Sequence, residues 1–268
     1  LIEKGDDEEL KAFQKKRLKK AAEYSAHEKE FAKLTHKEGS RARIKDEPPL
    51  IYHPSNEEGE RILHNVEAAH QRYIESLSDD KKVLLKRYSL HDVAIKVVGV
   101  GSVGTLCGIS LLMSATGEPI FLQFKEARQS VLEPNLANKN KYSHQGERIV
   151  MGQKLMQSAS DMFLGWTHDD QNKFFYIRQL RDAKVKPLLE IMKPKNMTAY
   201  AKACGWALAR AHARTGDPSL LSGYMGKNDE FAKAIAQFSV LYADQNDADY
   251  AKMLDAIKEG RLPIATDL

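Results

Sequence analysis

Cysteine is scarce. Cys107 and Cys204 are the two in 268 residues, and neither stands at a metal-type spacing with histidine. Such usage predicts two buried free thiols in a reducing compartment. No apolar run approaches the roughly 18 residues that a membrane span needs, and the longest are strand-sized. No signal peptide opens the chain, because Leu1 and Ile2 are followed at once by charges, so a cytoplasmic location is expected. The first residue is not Met, which suggests a fragment of a longer protein. A strong charge of either sign is missing too, since the net charge of +4 is mild and does not argue for nucleic acid. Internal repeats and low-complexity tracts are absent. What is there is ordinary globular composition, 42% hydrophobic and 29% charged, in a chain long enough for one large domain or two small ones with a substantial core.

Residues 1–47 are charge-dense. Residues 7–34 read as a helix, with Leu10, Phe13, Leu18, Ala21, Tyr24, Phe31 and Leu34 recurring in steps of three and four. Its run Lys15-Lys16-Arg17-Leu18-Lys19-Lys20 reads as a solvated stripe. No aromatic residues are interleaved to stack bases, so neither nucleic acid nor a membrane is an expected partner. Polar residues 38–47 end at Pro48-Pro49, which makes residues 1–50 a charged helical linker region. Helices are predicted over 58–77 and 79–88. From Val93 the texture changes. Residues 93–98, 105–113 and 120–125 read as strands of an antiparallel meander, with a hairpin at 114–119. A helix over 146–161 follows, then strands over 162–166 and 174–180 around a turn at 168–172. After Arg181 helices are predicted over 198–213, 229–243 and 247–259, with Trp206 and the stripe Ala203, Ala207 and Ala211 packed inside. The fold class is therefore α+β. A sheet domain over 51–182, of about five antiparallel strands and one inserted helix, is flanked by a helical region over 183–268.

The chemistry centres on the turn Gly99-Val100-Gly101-Ser102-Val103-Gly104. Glycines at these spacings let backbone N–H groups approach an anion without interference from Cβ. Two machines use such a turn. In a Rossmann domain it opens a helix whose N-terminus holds a pyrophosphate. In a protein kinase it joins two antiparallel strands over the ATP phosphates, and a lysine on the next strand grips them. The nine residues 105–113 are short for a Rossmann helix, although Leu111-Leu112-Met113 would suit one. Lys125 ends the third strand where a kinase-type lysine belongs, and Glu126 stands where the Rossmann reading needs an acid. A plain surface lysine at a strand end is the bland alternative for Lys125.

The kinase reading also asks for a helix carboxylate to orient the lysine. Glu147 is the glutamate of the inserted helix, with Glu126 and Glu133 nearer in sequence. The bland role of Glu147 is an acid favouring the helix dipole. Backbone groups of Gln179 to Arg181, at the end of the last strand, would face an adenine, whereas Arg178, Arg181 and Asp182 could equally form structural ion pairs. The cofactor-binding set is thus Gly99, Gly101, Ser102, Gly104, Lys125, Glu147, Gln179 and Arg181. In the segment 208–217, His212 and Asp217 are the local candidates for catalytic groups, against the simpler picture of a helix closed by Gly216.

A run of separate motifs in order carries a resemblance: 96–104 (KVVGVGSVG), 121–127 (FLQFKEA), 152–157 (GQKLMQ), 161–166 (DMFLGW), 176–182 (YIRQLRD), Cys204-Gly205 with 208–217 (LARAHARTGD), 223–226 (GYMG) and 242–245 (YADQ). From about residue 30 to the end the chain resembles the bacterial domain-of-unknown-function 2252 family. That family brings no established activity. The resemblance implies a kinase-type phosphotransferase in permuted order, similar to aminoglycoside phosphotransferases. Its Gly-Asp-x-His-x-x-Asn segment and acidic cluster come before the glycine loop, in a part this chain lacks. ATP is then the expected ligand and Mg²⁺ the expected metal, with the metal ligands and catalytic base mainly outside this chain and the phosphoryl acceptor unknown. A non-catalytic nucleotide-binding regulator and a Rossmann-type oxidoreductase are the alternatives.

Overall fold

A computed structural model of the chain describes residues 31–39, 41–54, 65–99, 104–137, 141–180 and 189–263. Its centre is an antiparallel meander of β4 (Tyr88–Lys96), β5 (Cys107–Ser114) and β6 (Pro119–Glu126). Apolar side chains fill the buried stretches of these strands, Val93, Ala94 and Ile95 on β4, Ile109, Leu111, Leu112 and Met113 on β5, and Ile120, Phe121 and Leu122 on β6, as a doubly covered sheet requires. The β5–β6 hairpin turns at Gly117, whose φ of +87° suits glycine. After β6 comes the helix α3 (Gln145–Met156), then β7 (Gly165–His168) and β8 (Phe174–Gln179). β8 inserts beside β6, and a short strand β3 (Ile51–Tyr52) adds the far edge. The sheet therefore has six strands in the order β3-β4-β5-β6-β8-β7. The strand over 107–114 pairs antiparallel with β4, so the glycine turn joins two strands and opens no helix.

Alternation along the strands divides the side chains between two faces. On one, α1 (Val66–Glu75) and α2 (Asp79–Leu85) cover Leu112, Ile120, Leu122 and Ile177 with Tyr73, Ile74, Leu77 and Leu85. Each such fully buried side chain contributes about 1.5–3 kcal/mol. Helix α1 is also fastened to edge strand β7. The Tyr73 hydroxyl donates to the Phe163 carbonyl at 2.6 Å, Thr167 Oγ1 donates to the Ala69 carbonyl at 2.6 Å, and the Trp166 N–H donates to Ser76 Oγ at 3.0 Å. On the other face, Leu34, Ile44 and Ile51 pack on Ala94, Ile109, Leu111 and Phe121.

Those last contacts correct one expectation. Of the region 1–50 read as a helical linker, residues 1–30 lie outside the described residues and residues 31–34 are helical. Residues 35–44 form a hairpin of β1 (Thr35–Glu38) and β2 (Arg41–Ile44). The polar run of 38–47 hid a strand because its one large apolar residue, Ile44, is fully buried and Asp92 accepts its N–H at 2.7 Å. A single anchor leaves no period to read.

The chain divides into two compact units, Leu1–Ala207 and Leu208–Leu268. The C-terminal helices are α4 (Pro194–Thr215), α5 (Pro218–Met225) and α6 (Glu230–Lys258). The break expected over 244–246 does not occur, because Asp244 and Asn246 are only mildly poor helix formers, Gln245 is a good one, and Gln245 Nε2 donates to Asp249 one turn on, at 2.8 Å. Two packing expectations fail here. Cys107 is buried but Cys204 is exposed, and Trp206 is 53% exposed. No described residue of α4 is buried, so its alanine stripe meets no core.

Candidate functional site

The stem of the glycine turn is held by its neighbours. Gly99 and Gly104 adopt φ of +25° and +74°, which L side chains rarely accept. Gly101 and Ser102 lie outside the described residues. Glu126 and Arg128 clasp the stem to the end of β6. The Glu126 carboxylate accepts the Leu106 N–H at 2.8 Å and pairs with Arg128, whose guanidinium donates to the Gly104 carbonyl at 2.6 Å. The Glu126 amide returns a hydrogen bond to the Leu106 carbonyl at 2.8 Å. Burial would raise the Glu126 carboxyl, yet Arg128 and the Leu106 amide carry it below its ordinary range. Glu126 is therefore taken up as a loop anchor. It neither reads a ribose nor orients Lys125. Sequence reasoning missed Arg128, and the close spacing Glu-x-Arg was the available signal.

Lys125 stands on the opposite face from Glu126, half-buried, directly across from Cys107 on β5 and Tyr176 on β8. Gln123 and Arg178 are the next directly opposed pair on that face, and the Arg178 guanidinium donates to Gln123 Oε1 at 3.1 and 3.3 Å. Gln123 is buried, and burial raises the Tyr176 hydroxyl above its usual range. Among the described residues neither Lys125 nor Arg178 forms an ion pair. Among the described residues this face thus carries two cations, Lys125 and Arg178, with no carboxylate in ion-pair contact.

Helix α3 packs over the β8–β7 side of the same face. The ring of its N-cap, His144, lies 4.4 Å from Phe174, 5.8 Å from His168 and 6.4 Å from Trp166. Burial and the neighbouring His168 lower the His144 pKa, which keeps its Nδ1 free to accept the Glu147 N–H at 3.2 Å. Close approach to the sheet depends on Gly146, where a Cβ would stand 2.2 Å from the Phe175 carbonyl oxygen. Glu147 is half-buried in the first turn, and no ion pair among the described residues joins it to Lys125. Glu133, the other acid considered for Lys125, has a buried carboxylate oxygen with no hydrogen-bond partner.

The end of β8 corrects the adenine expectation in part. The Gln179 N–H donates to Asp161 Oδ2 at 2.8 Å and the Leu180 N–H to the Phe121 carbonyl at 2.9 Å, so neither amide is open to a base. Arg181 lies outside the described residues. Asp161 also accepts the Phe163 N–H at 2.8 Å, which ties the entry of β7 to the exit of β8. His212 is exposed on α4, in the second unit. Asp217 caps α5, accepting the N–H groups of Ser219 and Leu220 at 2.8 and 3.1 Å. That is a helix-cap role, not a catalytic one.

A cavity of about 90 Å³ lies on the other face, between α1 and the sheet, walled by Leu90, Val93, Phe124, Phe175 and Ile177. It is separated from Lys125 by the sheet itself. Among the described residues no group of three or more His, Cys, Asp or Glu could hold a metal ion, and no helix is long and apolar enough to cross a membrane.

These features define a mixed α+β protein with a doubly covered antiparallel sheet that carries Lys125 and Arg178 on one face. The chain belongs to the bacterial domain-of-unknown-function 2252 family, described as an uncharacterised protein conserved in bacteria, whose model matches residues 1–256. No curated protein and no solved structure matches the chain.

Proposed function

We propose that the chain is the nucleotide-gripping part of a kinase-like phosphotransferase, binding ATP through the glycine turn and Lys125. The observation that carries this reading is the half-buried Lys125, without a carboxylate partner among the described residues, paired with Cys107, the first residue of β5 after that turn. The chain order supports it. A meander with the glycine turn in its first connection, a lysine late in its third strand, a helix, and a hairpin whose second strand returns beside the lysine strand is the layout a protein-kinase small lobe uses. That helix lies over the face that bears the lysine. Loss of the helix after the glycine turn removes the support for the Rossmann alternative, since a dinucleotide fold needs a helix N-terminus there.

The described residues fit a polyphosphate and do not fit its metal. Lys125 and Arg178 supply positive charge that no described carboxylate pairs with, whereas no described cluster could coordinate Mg²⁺. Phosphoryl transfer needs positioning and charge neutralisation above all. In this reading the glycine turn contributes to the first and the two cations to the second, and no transfer step is assigned to the described residues. Calorimetric titration of the whole chain with Mg-ATP and Mg-ADP tests the reading. Binding should weaken at least about tenfold in Lys125→Ala, equivalent to about 1.4 kcal/mol, and Gly101→Val should impair it by blocking backbone approach. Titration curves identical to those of the parent chain in both variants would overturn it. Binding without turnover would favour the regulator over the phosphotransferase.

A further inference from the structure

We infer that Arg178 is a second anion-gripping residue, so that the ligand's pyrophosphate unit is held between Lys125 and Arg178. This deepens the nucleotide reading and rests on it for the identity of the ligand, but not for the anion site itself. The register fixes the juxtaposition. Gln123 faces Arg178 across the β6–β8 ladder and Lys125 faces Tyr176, which makes Lys125 and Arg178 diagonal neighbours on one face. Diagonal positions on adjacent strands lie about 7–8 Å apart, within the reach of long side chains. Like charges placed so repel, and each ordinarily finds a carboxylate. Here neither has one among the described residues.

Arg178 is nonetheless oriented. Its Nε and one Nη donate to Gln123 Oε1, an uncharged acceptor on a side chain only 5% exposed. The amide aims the guanidinium without neutralising it. The remaining N–H groups of the planar fork stay available for a bidentate grip on an oxyanion. Glutamate at position 123 would instead place a counter-charge on the guanidinium. A neutral buried acceptor keeps the charge for a ligand. Two cations in this spacing match two adjoining phosphate groups better than one isolated phosphate.

Calorimetry and thermal melts of the whole chain with inorganic pyrophosphate, ADP and adenosine test the inference. Pyrophosphate and ADP should bind the parent chain and raise its melting point. Arg178→Gln should weaken both at least tenfold, and Arg178→Lys should not restore binding because the fork is lost. Gln123→Glu should abolish pyrophosphate binding while leaving the unliganded melting point unchanged or higher, since it hands Arg178 a carboxylate. Normal ADP affinity in folded Arg178→Gln, with affinity lost in Lys125→Ala, would overturn the role of Arg178 and leave the nucleotide reading standing. Pyrophosphate bound through both cations with no added affinity for ADP would support the anion site and sink the nucleotide. A parent chain that does not respond to millimolar pyrophosphate would overturn the inference outright.

Discussion

At Gly108 the sheet has no room for a methyl group. A Cβ there would stand 2.2 Å from the Phe124 ring and 2.6 Å from the Ala94 carbonyl oxygen. The ring could turn, but the carbonyl belongs to the neighbouring strand and cannot retreat without breaking the β4–β5 ladder. Gly108→Ala should therefore cost about 1–3 kcal/mol, the usual range for overpacking a core. A urea melt with an unshifted midpoint would contradict this. The adjacent glycine turn announces itself by spacing, whereas Gly108 does not. Its requirement is set by what the fold presses against it, which no local pattern encodes. The same holds for Arg128 and Asp161, whose partners lie 24 and 18 residues away in the chain at Gly104 and Gln179.

Among the elements, the hairpin of β1 and β2 and the short β3 are joined to β4 by one polar knot. His53 sits between two carboxylates, its Nδ1 2.8 Å from Asp46 Oδ1 and its Nε2 3.1 Å from Asp92 Oδ2. Ionised carboxylates only accept, so both ring nitrogens must donate and the imidazole is held protonated. The hydrogen bond to Asp92 is the main cause of the raised His53 pKa, against burial and helped by Asp46. Burial would raise both carboxyls, but hydrogen bonds from His53 and, for Asp92, the Ile44 and Val93 amides carry them below their ordinary range. The signs then set a window. The histidine contribution is full below its unfolded value of about 6.5 and is lost as pH rises through the raised folded value. The carboxylate contributions are full above about pH 4 and are lost as pH falls through the lowered folded values. Melting temperatures of the parent chain and His53→Gln should differ most near pH 5–6 and converge at alkaline pH. A gap that is constant with pH would rule out the charged knot. None of this was legible in the sequence, because the three residues come from a loop, a strand edge and the bulge between Leu90 and Asp92 in β4.

For the whole molecule, the two units differ in cohesion. Strand β5 buries Cys107, Ile109, Leu111, Leu112 and Met113, whereas among the described residues of α4, α5 and α6 only Ala256 is buried. The exposed side chains there include Trp206, Leu220, Tyr224, Phe238, Leu241 and Tyr242. Helices hold mainly by packing one face, so such helices should open by themselves. Amide hydrogen exchange should show the β5 and β6 amides at least about a hundredfold more protected than those of α6, a difference of ~2.7 kcal/mol. Equal protection would mean that the units unfold as one.

The sequence alone determined the second and third strands of the meander, the later part of the first, the start of the helix inserted after them and the place of the lysine on the third strand, because each rests on local period. It marked neither the start of the first strand at Tyr88 nor the end of the helix at Met156. It left the 35–44 hairpin, the clasp of Glu126 and Arg128, the helix-cap role of Asp217 and the exposure of Trp206 undecided. Those depend on which strand lies beside which and on what covers each face. Only the insertion of β8 next to β6 makes Arg178 a diagonal neighbour of Lys125, because strand pairing across the 55 residues from Gln123 to Arg178 is set by the tertiary fold and not by local pattern.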